Sequence, residues 1–149
     1  MNSEYRIPYR PIIVKFYFGC APALHCPFEM AFPFENLEVY KQSIQFVSET
    51  ETLIHRERIR ISKALADQFC RAALSIPLNI AEGNGRWHKG DKRNFFWIAR
   101  GSVFECVPII EILRIKNLIT PLEHEILHGR LEQLGKMLSA LIKVYTAEK

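Results

Sequence analysis

The sequence lacks the long apolar runs, cysteine pairs and glycine-rich loops that identify several common classes of protein. No stretch of its 149 residues approaches the roughly 18 uninterrupted apolar residues of a membrane span. There is no CxxC pair, no Cys/His spacing of a zinc finger, no phosphate-binding loop and no nucleophile elbow. We therefore expect no membrane association, no cofactor, no metal and no enzymatic activity. Because the four cysteines show neither of these spacings, we interpret them as reduced thiols and expect the protein to lie in the cytoplasm.

The composition is that of an ordinary globular domain. Hydrophobic residues make up 48% and charged residues 24% of the chain. A length of 149 residues suits one domain with a sufficient core. The net charge of +4 is mildly basic, which permits an anionic partner without requiring one.

Residues 1–33 differ from the rest because they hold five of the eight prolines and show no lasting period. A signal peptide or lipoprotein site is one interpretation, but Lys15 divides the apolar run that it would need. We favour a disordered or irregular tail, or a translation start at Met30. Residues 1–29 are accordingly predicted to be dispensable for folding.

From residue 34 to 149 the apolar residues recur with a helical period in four segments, and no strand-like period competes. Capping signals delimit the segments: a capping box at Thr120–Glu123, and residues that accept a left-handed conformation at 83–85 and Asn117. The short links predict an all-α, antiparallel up-down four-helix bundle. The four predicted core stripes are Leu37, Tyr40, Ile44, Val47 and Ile54; Ile61, Leu65, Phe69, Ala72, Ile76 and Ile80; Phe95, Ala99, Ser102, Cys106, Ile109 and Leu113; and Leu127, Leu131, Leu134, Leu138, Leu141 and Tyr145.

Polar residues share one face of the second segment, which also contains Pro77 in its middle. Their spacing of seven, four and three residues predicts a polar seam against the third segment. We favour a structural role, in which the seam fixes the register of the two helices. The alternative is a pocket for a ligand or partner. The predicted seam residues are Gln68, Ser75, Asn79, Glu82, Ser102 and Glu105.

The blocks LADQFCRAALSIPLNIAEGNGR and FFWIARGSVFE, together with the opening FENLEVYKQSIQF, resemble a bacterial four-helix-bundle family. That family was first noticed as reading frames within intervening sequences of large-subunit ribosomal RNA genes. The resemblance covers about residues 34 to 145. It implies a left-handed antiparallel bundle that assembles into a ring, often a pentamer. The family carries a ribosomal-protein label.

Related members of that family act as accessory proteins of reverse transcriptases in diversity-generating retroelements and look like basic, nucleic-acid-binding rings. The resemblance supplies no catalytic residue. This chain departs from the pattern at Trp87-His88, at Pro108 inside the third helix, and in its mild charge. The mild charge weakens any transfer of nucleic-acid binding to this chain.

Two basic clusters lie in connecting segments. The first comprises Arg56, Arg58, Arg60 and Lys63 before the second helix. The second is the candidate nucleic-acid site, in which cations would contact phosphates and a tryptophan would stack on a base. We favour the other interpretation, a solvated basic surface, because the chain is only mildly basic. Cations at the start of a helix oppose its dipole, which favours a functional role for the second cluster. Its residues are Arg86, Trp87, Lys89, Lys92 and Arg93, with His88 between them.

His124-Glu125-Ile126-Leu127-His128 matches the HExxH motif of zinc proteases. The context argues against catalysis, since no third histidine follows at the usual spacing and no strand is predicted to hold a peptide substrate. We expect both histidines to be solvated. A zinc hydrolase is kept as a remote alternative.

Three roles remain open: a self-associating scaffold or adaptor for a protein or nucleic-acid partner, a nucleic-acid-binding ring that does not read sequence, and the remote hydrolase. The scaffold is the leading hypothesis, and self-association is predicted because the third segment has more apolar residues than one seam needs. Phe96, Trp97, Val103 and Ile110 are predicted to be left over for a subunit interface.

Overall fold

The computed structural model describes residues 32–56 and 61–146, which form four α-helices and no strand. The helices are α1 (Glu38–Ile54), α2 (Lys63–Gly85), α3 (Lys89–Ile115) and α4 (Pro121–Val144), and a short 3-10 helix at Pro33–Asn36 precedes α1. The prediction of an all-α fold is confirmed. The proposed start at Met30, and the predicted tail up to residue 31, lie outside the described residues.

Each helix packs against its neighbours in the sequence, and α4 also contacts α1, which closes the bundle. The packing is most extensive between α2 and α3. With short connections at alternate ends, this is the predicted up-down arrangement. None of the described helices is long and apolar enough to span a membrane.

The core positions of α2 and α4 were predicted well. Phe69, Ile76 and Ile80 of α2 are at most 1% exposed, and so are Leu131, Leu134 and Leu138 of α4. Both stripes consist of apolar residues throughout, so the pattern and the buried face coincide.

Four of the five residues predicted for the first core stripe, Leu37, Tyr40, Val47 and Ile54, pack half-buried against the core, but the fully buried line of α1 lies one residue away. The buried line consists of Val39, Ser43, Phe46, Thr50 and Leu53, whereas Ile44 is 46% exposed. Two of these five positions are polar, so hydrophobicity alone pointed to the adjacent line. Burial of Ser43 is tolerated because its hydroxyl donates a hydrogen bond of 2.6 Å to the Tyr40 carbonyl oxygen.

The prediction of leftover apolar residues on α3 was wrong for three of its four members. Phe96, Val103 and Ile110 are 0%, 2% and 0% exposed within the protomer. Because α3 packs on both α2 and α4, it needs a stripe wider than one seam. Trp97 alone stays on the surface, at 50% exposure.

The signals at two helix ends are confirmed. Thr120 and Glu123 form the capping box of α4, and Asn117 after α3 has a φ of 54°. Glu123 also pairs with Arg56 at the end of α1. That guanidinium, with the Thr120 backbone, lowers the pKa of the Glu123 carboxyl.

The helix α2 ends at Gly85, within the predicted residues 83–85, but the left-handed conformation predicted there was wrong. No described glycine has a positive φ. Gly83 has a packing role instead, because a Cβ atom there would lie 2.8 Å from Phe96 Cε1 and 3.0 Å from Phe95 Cβ. A glycine at this point lets α2 and α3 approach closely.

Cys70 and Cys106 are free thiols. Cys106 is completely buried in the core. Burial, with a smaller contribution from Glu105, raises its pKa to about 12. It therefore behaves as a small apolar residue. Cys20 and Cys26 lie outside the described residues.

We predict that Gly83→Ala destabilises the bundle by about 1–2 kcal/mol, because overpacking against the buried Phe96 outweighs the better helix propensity of alanine. Gly85→Ala is the matched control, since a Cβ atom at Gly85 meets nothing within 4 Å. Urea unfolding of both variants measures the difference. Equal stabilities would show that Phe96 moves aside at little cost.

Candidate functional site

Three of the predicted seam residues form one hydrogen-bonded group between α2 and α3. The Asn79 side-chain nitrogen donates to the Ser75 carbonyl oxygen at 2.7 Å and to Ser75 Oγ at 2.9 Å. Ser102 Oγ lies 2.8 Å from Ser75 Oγ and 3.1 Å from the Ile98 carbonyl oxygen. Ser102 is buried and the other two are half-buried. These hydroxyl groups can fix the register of the two helices.

The other three predicted seam residues lie at the surface. Gln68 accepts a hydrogen bond from Arg71, Glu82 pairs with Arg86, and Glu105 is exposed. A cleft of about 520 Å³ between α2 and α3 is nevertheless lined by four of the six, namely Gln68, Ser75, Ser102 and Glu105.

The second basic cluster surrounds the connection between α2 and α3, and parts of it have structural contacts. Arg86 pairs with Glu82, and its Cζ lies 4.7 Å from the centroid of the Phe95 ring. Lys92 Nζ donates to the Asn84 carbonyl oxygen at 3.2 Å. That carbonyl belongs to the last turn of α2, where a cation is favoured by the helix dipole. Lys92 therefore stabilises the end of α2 as well as opposing the start of α3.

Trp87 is 91% exposed at the centre of this cluster. Lys89 begins α3, and Arg93 is half-buried in its second turn. The structure thus places the five candidate residues at one end of the bundle.

Of the first cluster, Arg56 pairs with Glu123 and Lys63 begins α2, while Arg58 and Arg60 lie outside the described residues.

The HExxH residues show no metal-site geometry. His124 Nε2 lies 2.7 Å from Glu111 Oε1, and the rings of His124 and His128 are 5.8 Å apart. Across residues 32–56 and 61–146, no three histidine, cysteine or acidic side chains are grouped to hold a metal ion. The expectation that both histidines are solvated was wrong for His124, whose side chain is 17% exposed because it bonds across to α3.

A groove of about 700 Å³ between α3 and α4 was not predicted from the sequence. Arg100, Phe104 and Val107 from α3 line it, together with Gly135 and Lys143 from α4. Phe104 is 54% exposed. A glycine in the middle of a helix, beside apolar residues, was the one sequence feature that could have indicated the groove. It indicates a groove only when the position of the facing helix is known.

We predict that the inter-helix bond between Ser75 and Ser102 contributes about 0.5–1.5 kcal/mol of coupling free energy. A double-mutant cycle of Ser75→Ala and Ser102→Ala, followed by urea unfolding, measures this quantity. Strictly additive losses would mean that the two hydroxyl groups act independently and do not fix the register.

Comparison with known proteins agrees with this geometry. The family model described as 23S rRNA-intervening sequence protein matches residues 35–140. A crystal structure of a protein of unknown function, from the S23 ribosomal protein family of Bacteroides thetaiotaomicron, has the same fold with a TM-score of 0.66. The two chains are 24% identical, and the alignment covers 70% of this chain and 95% of that one. No curated protein matches significantly. Since the family model extends from before α1 into α4, the chain belongs to the 23S rRNA-intervening sequence protein family.

Proposed function

We propose that the chain is a non-enzymatic cytoplasmic scaffold or adaptor that self-associates and binds a protein or nucleic-acid partner. The observation that carries the proposal is the exposed apolar surface of α2 and α3. Leu74, Leu78 and Ile98 are 41%, 65% and 51% exposed. Large apolar side chains that the bundle leaves in solvent are typical of subunit interfaces.

The position of Ile98 suits a contact between copies. Ile98 lines the cleft between α2 and α3, beside the small residues Ser75 and Gly101. A Cβ atom on Gly101 would meet nothing within 4 Å, so the bundle itself does not require a glycine there. A second subunit that approaches this cleft closely would require one. A ring of several copies, for which a pentamer is one candidate, is the assembly that we propose.

We predict that light scattering at tens of micromolar gives a mass of several times 17.4 kDa. Leu78→Glu should lower that mass, because a carboxylate would be buried in the interface. Leu122→Glu is the matched control, since Leu122 is also 65% exposed but lies at the start of α4. A monomeric wild-type protein would refute self-association.

A second candidate function is binding of nucleic acid without sequence specificity, as in an accessory protein of a reverse transcriptase. The observation that favours it is Trp87, exposed among the cations of the connection between α2 and α3. An exposed indole can stack on an unpaired base while nearby cations contact phosphates. The connection offers no recognition helix for a groove, so we propose contacts to the backbone alone.

For this candidate we predict that log affinity for single-stranded RNA or DNA falls with log salt concentration, with a slope of about −3 to −4 for four neutralised phosphates. Replacing the four cations by glutamine should flatten the slope and weaken binding equally for unrelated sequences. The cations are Arg86, Lys89, Lys92 and Arg93.

The control for this experiment is the pair Arg114→Gln and Lys116→Gln, at the opposite end of the bundle. It should leave the slope nearly unchanged. Binding without salt dependence, or tight binding to a single sequence, would contradict the candidate function.

A further inference from the structure

The groove between α3 and α4 has an apolar floor and an open surface. Val103 and Leu131 are 2% and 1% exposed at its base, and Phe104 and Val107 form part of its wall. The lining residues of α4 from Leu131 to Lys143 extend about 18 Å at 1.5 Å per residue. These dimensions suit about three turns of another helix.

Arg100 is held in this groove in a fixed position. Its Cζ lies 4.4 Å from the centroid of the Phe104 ring and 5.4 Å from that of Trp97. Its Nε donates a 3.0 Å hydrogen bond to Ser139 Oγ. Within the described residues it forms no ion pair. Its two terminal amino groups therefore remain available to an incoming carboxylate, which a preorganised guanidinium binds well.

The charges around the groove are unbalanced. Glu132 is the one acidic side chain among the lining residues, and it pairs with Lys136 at 2.6 Å. This leaves Arg100 and Lys143 in excess along the groove. A bound segment should therefore be acidic along its borders and apolar on the face that meets the floor.

Gly135 supplies the concavity of the groove. A Cβ atom there would contact only Val103 Cγ1, at 4.0 Å, so alanine would fit the bundle and favour the helix. The packing within the protomer thus gives no reason for a glycine at this position. A glycine there also allows the backbone of a bound segment to lie close to α4.

We propose that this groove binds an amphipathic, acidic helix of a partner protein, with a carboxylate of that helix on Arg100. The proposal rests on the adaptor role proposed above and names the chemistry of its protein partner. Helix-in-groove binding fits a bundle whose described residues offer no strand edge.

Other occupants fit the groove less well. The acidic helix of this chain is α1, but Ile44 is its one large apolar side chain that is exposed. A second copy therefore lacks an acidic helix with a continuous apolar face. A nucleic acid would meet an apolar floor and few cations.

A peptide titration tests the proposal with the full-length protein. The probe is a fluorescein-labelled peptide of about 18 residues, or about 27 Å as a helix. Leucines line one face of it, and glutamates border that face. A matched peptide carries lysine in place of every glutamate. Fluorescence anisotropy should show that only the acidic peptide binds, more weakly at high salt.

Two variants locate the binding. Arg100→Gln and Gly135→Leu should each weaken binding about tenfold or more, through loss of the carboxylate contact and through filling of the groove. The controls are Arg114→Gln on α3 and Gly129→Leu on α4, both exposed and outside the groove. They should change the affinity by less than about twofold, and circular dichroism should show that all four variants are folded.

The opposite results overturn the proposal. If the lysine peptide binds equally well, or if the two groove variants bind the acidic peptide unchanged, an acidic helix is not the occupant of the groove. If Gly135→Leu lowers the oligomeric mass and the wild-type protein does not bind the acidic peptide, a second copy of the chain occupies the groove. If Gly135→Leu weakens binding of a single-stranded oligonucleotide instead, the groove belongs to nucleic acid. Because Leu78→Glu tests self-association at other residues, failure of the scaffold and failure of the groove are distinguishable.

Discussion

The close approach of α2 and α3 is the constraint on which the rest of the bundle depends. Gly83 leaves room for the buried ring of Phe96, and small residues occupy further buried positions, Ala72 and Ala73 on α2 and Ala99 on α3. Protein interiors are close-packed, so an added methyl group at such a contact must displace neighbours. The hydroxyl groups of Ser75 and Ser102 meet across the same interface. Once these helices are fixed, α1 and α4 complete the core around them.

This packing also decides which surfaces are available for partners. Because α3 packs on both α2 and α4, Phe96, Val103 and Ile110 are buried within the protomer, and contacts with other molecules must use other residues. The outer faces retain Leu78, Ile98 and Phe104 in solvent. Two surfaces result: the α2–α3 cleft proposed for self-association, and the α3–α4 groove proposed for an acidic helix.

Electrostatics plays a more structural role than the charge pattern indicated. Arg56, Arg86 and Lys92 belong to basic clusters, yet each has an acidic or carbonyl partner close by. Pairs at an exposed surface contribute little to stability, but they reduce the charge presented to a phosphate backbone. Arg100 is the contrasting case, because it contacts aromatic rings and a serine but forms no ion pair with a described residue.

The sequence by itself determined the helices, three of their ends and the core of α2 and α4, because apolar periodicity and capping chemistry are local properties of the chain. The sequence also predicted that Ser75, Asn79 and Ser102 lie close together, since their spacing places them on facing helix surfaces. Predictions from the sequence failed where the role of a residue depends on a contact with another part of the chain. Ser43 is buried by the packing of α1, Gly83 accommodates Phe96, and His124 bonds to Glu111. Only the tertiary structure decided these contacts and the groove around Arg100, because exposure and proximity are properties of the folded chain and not of any one segment.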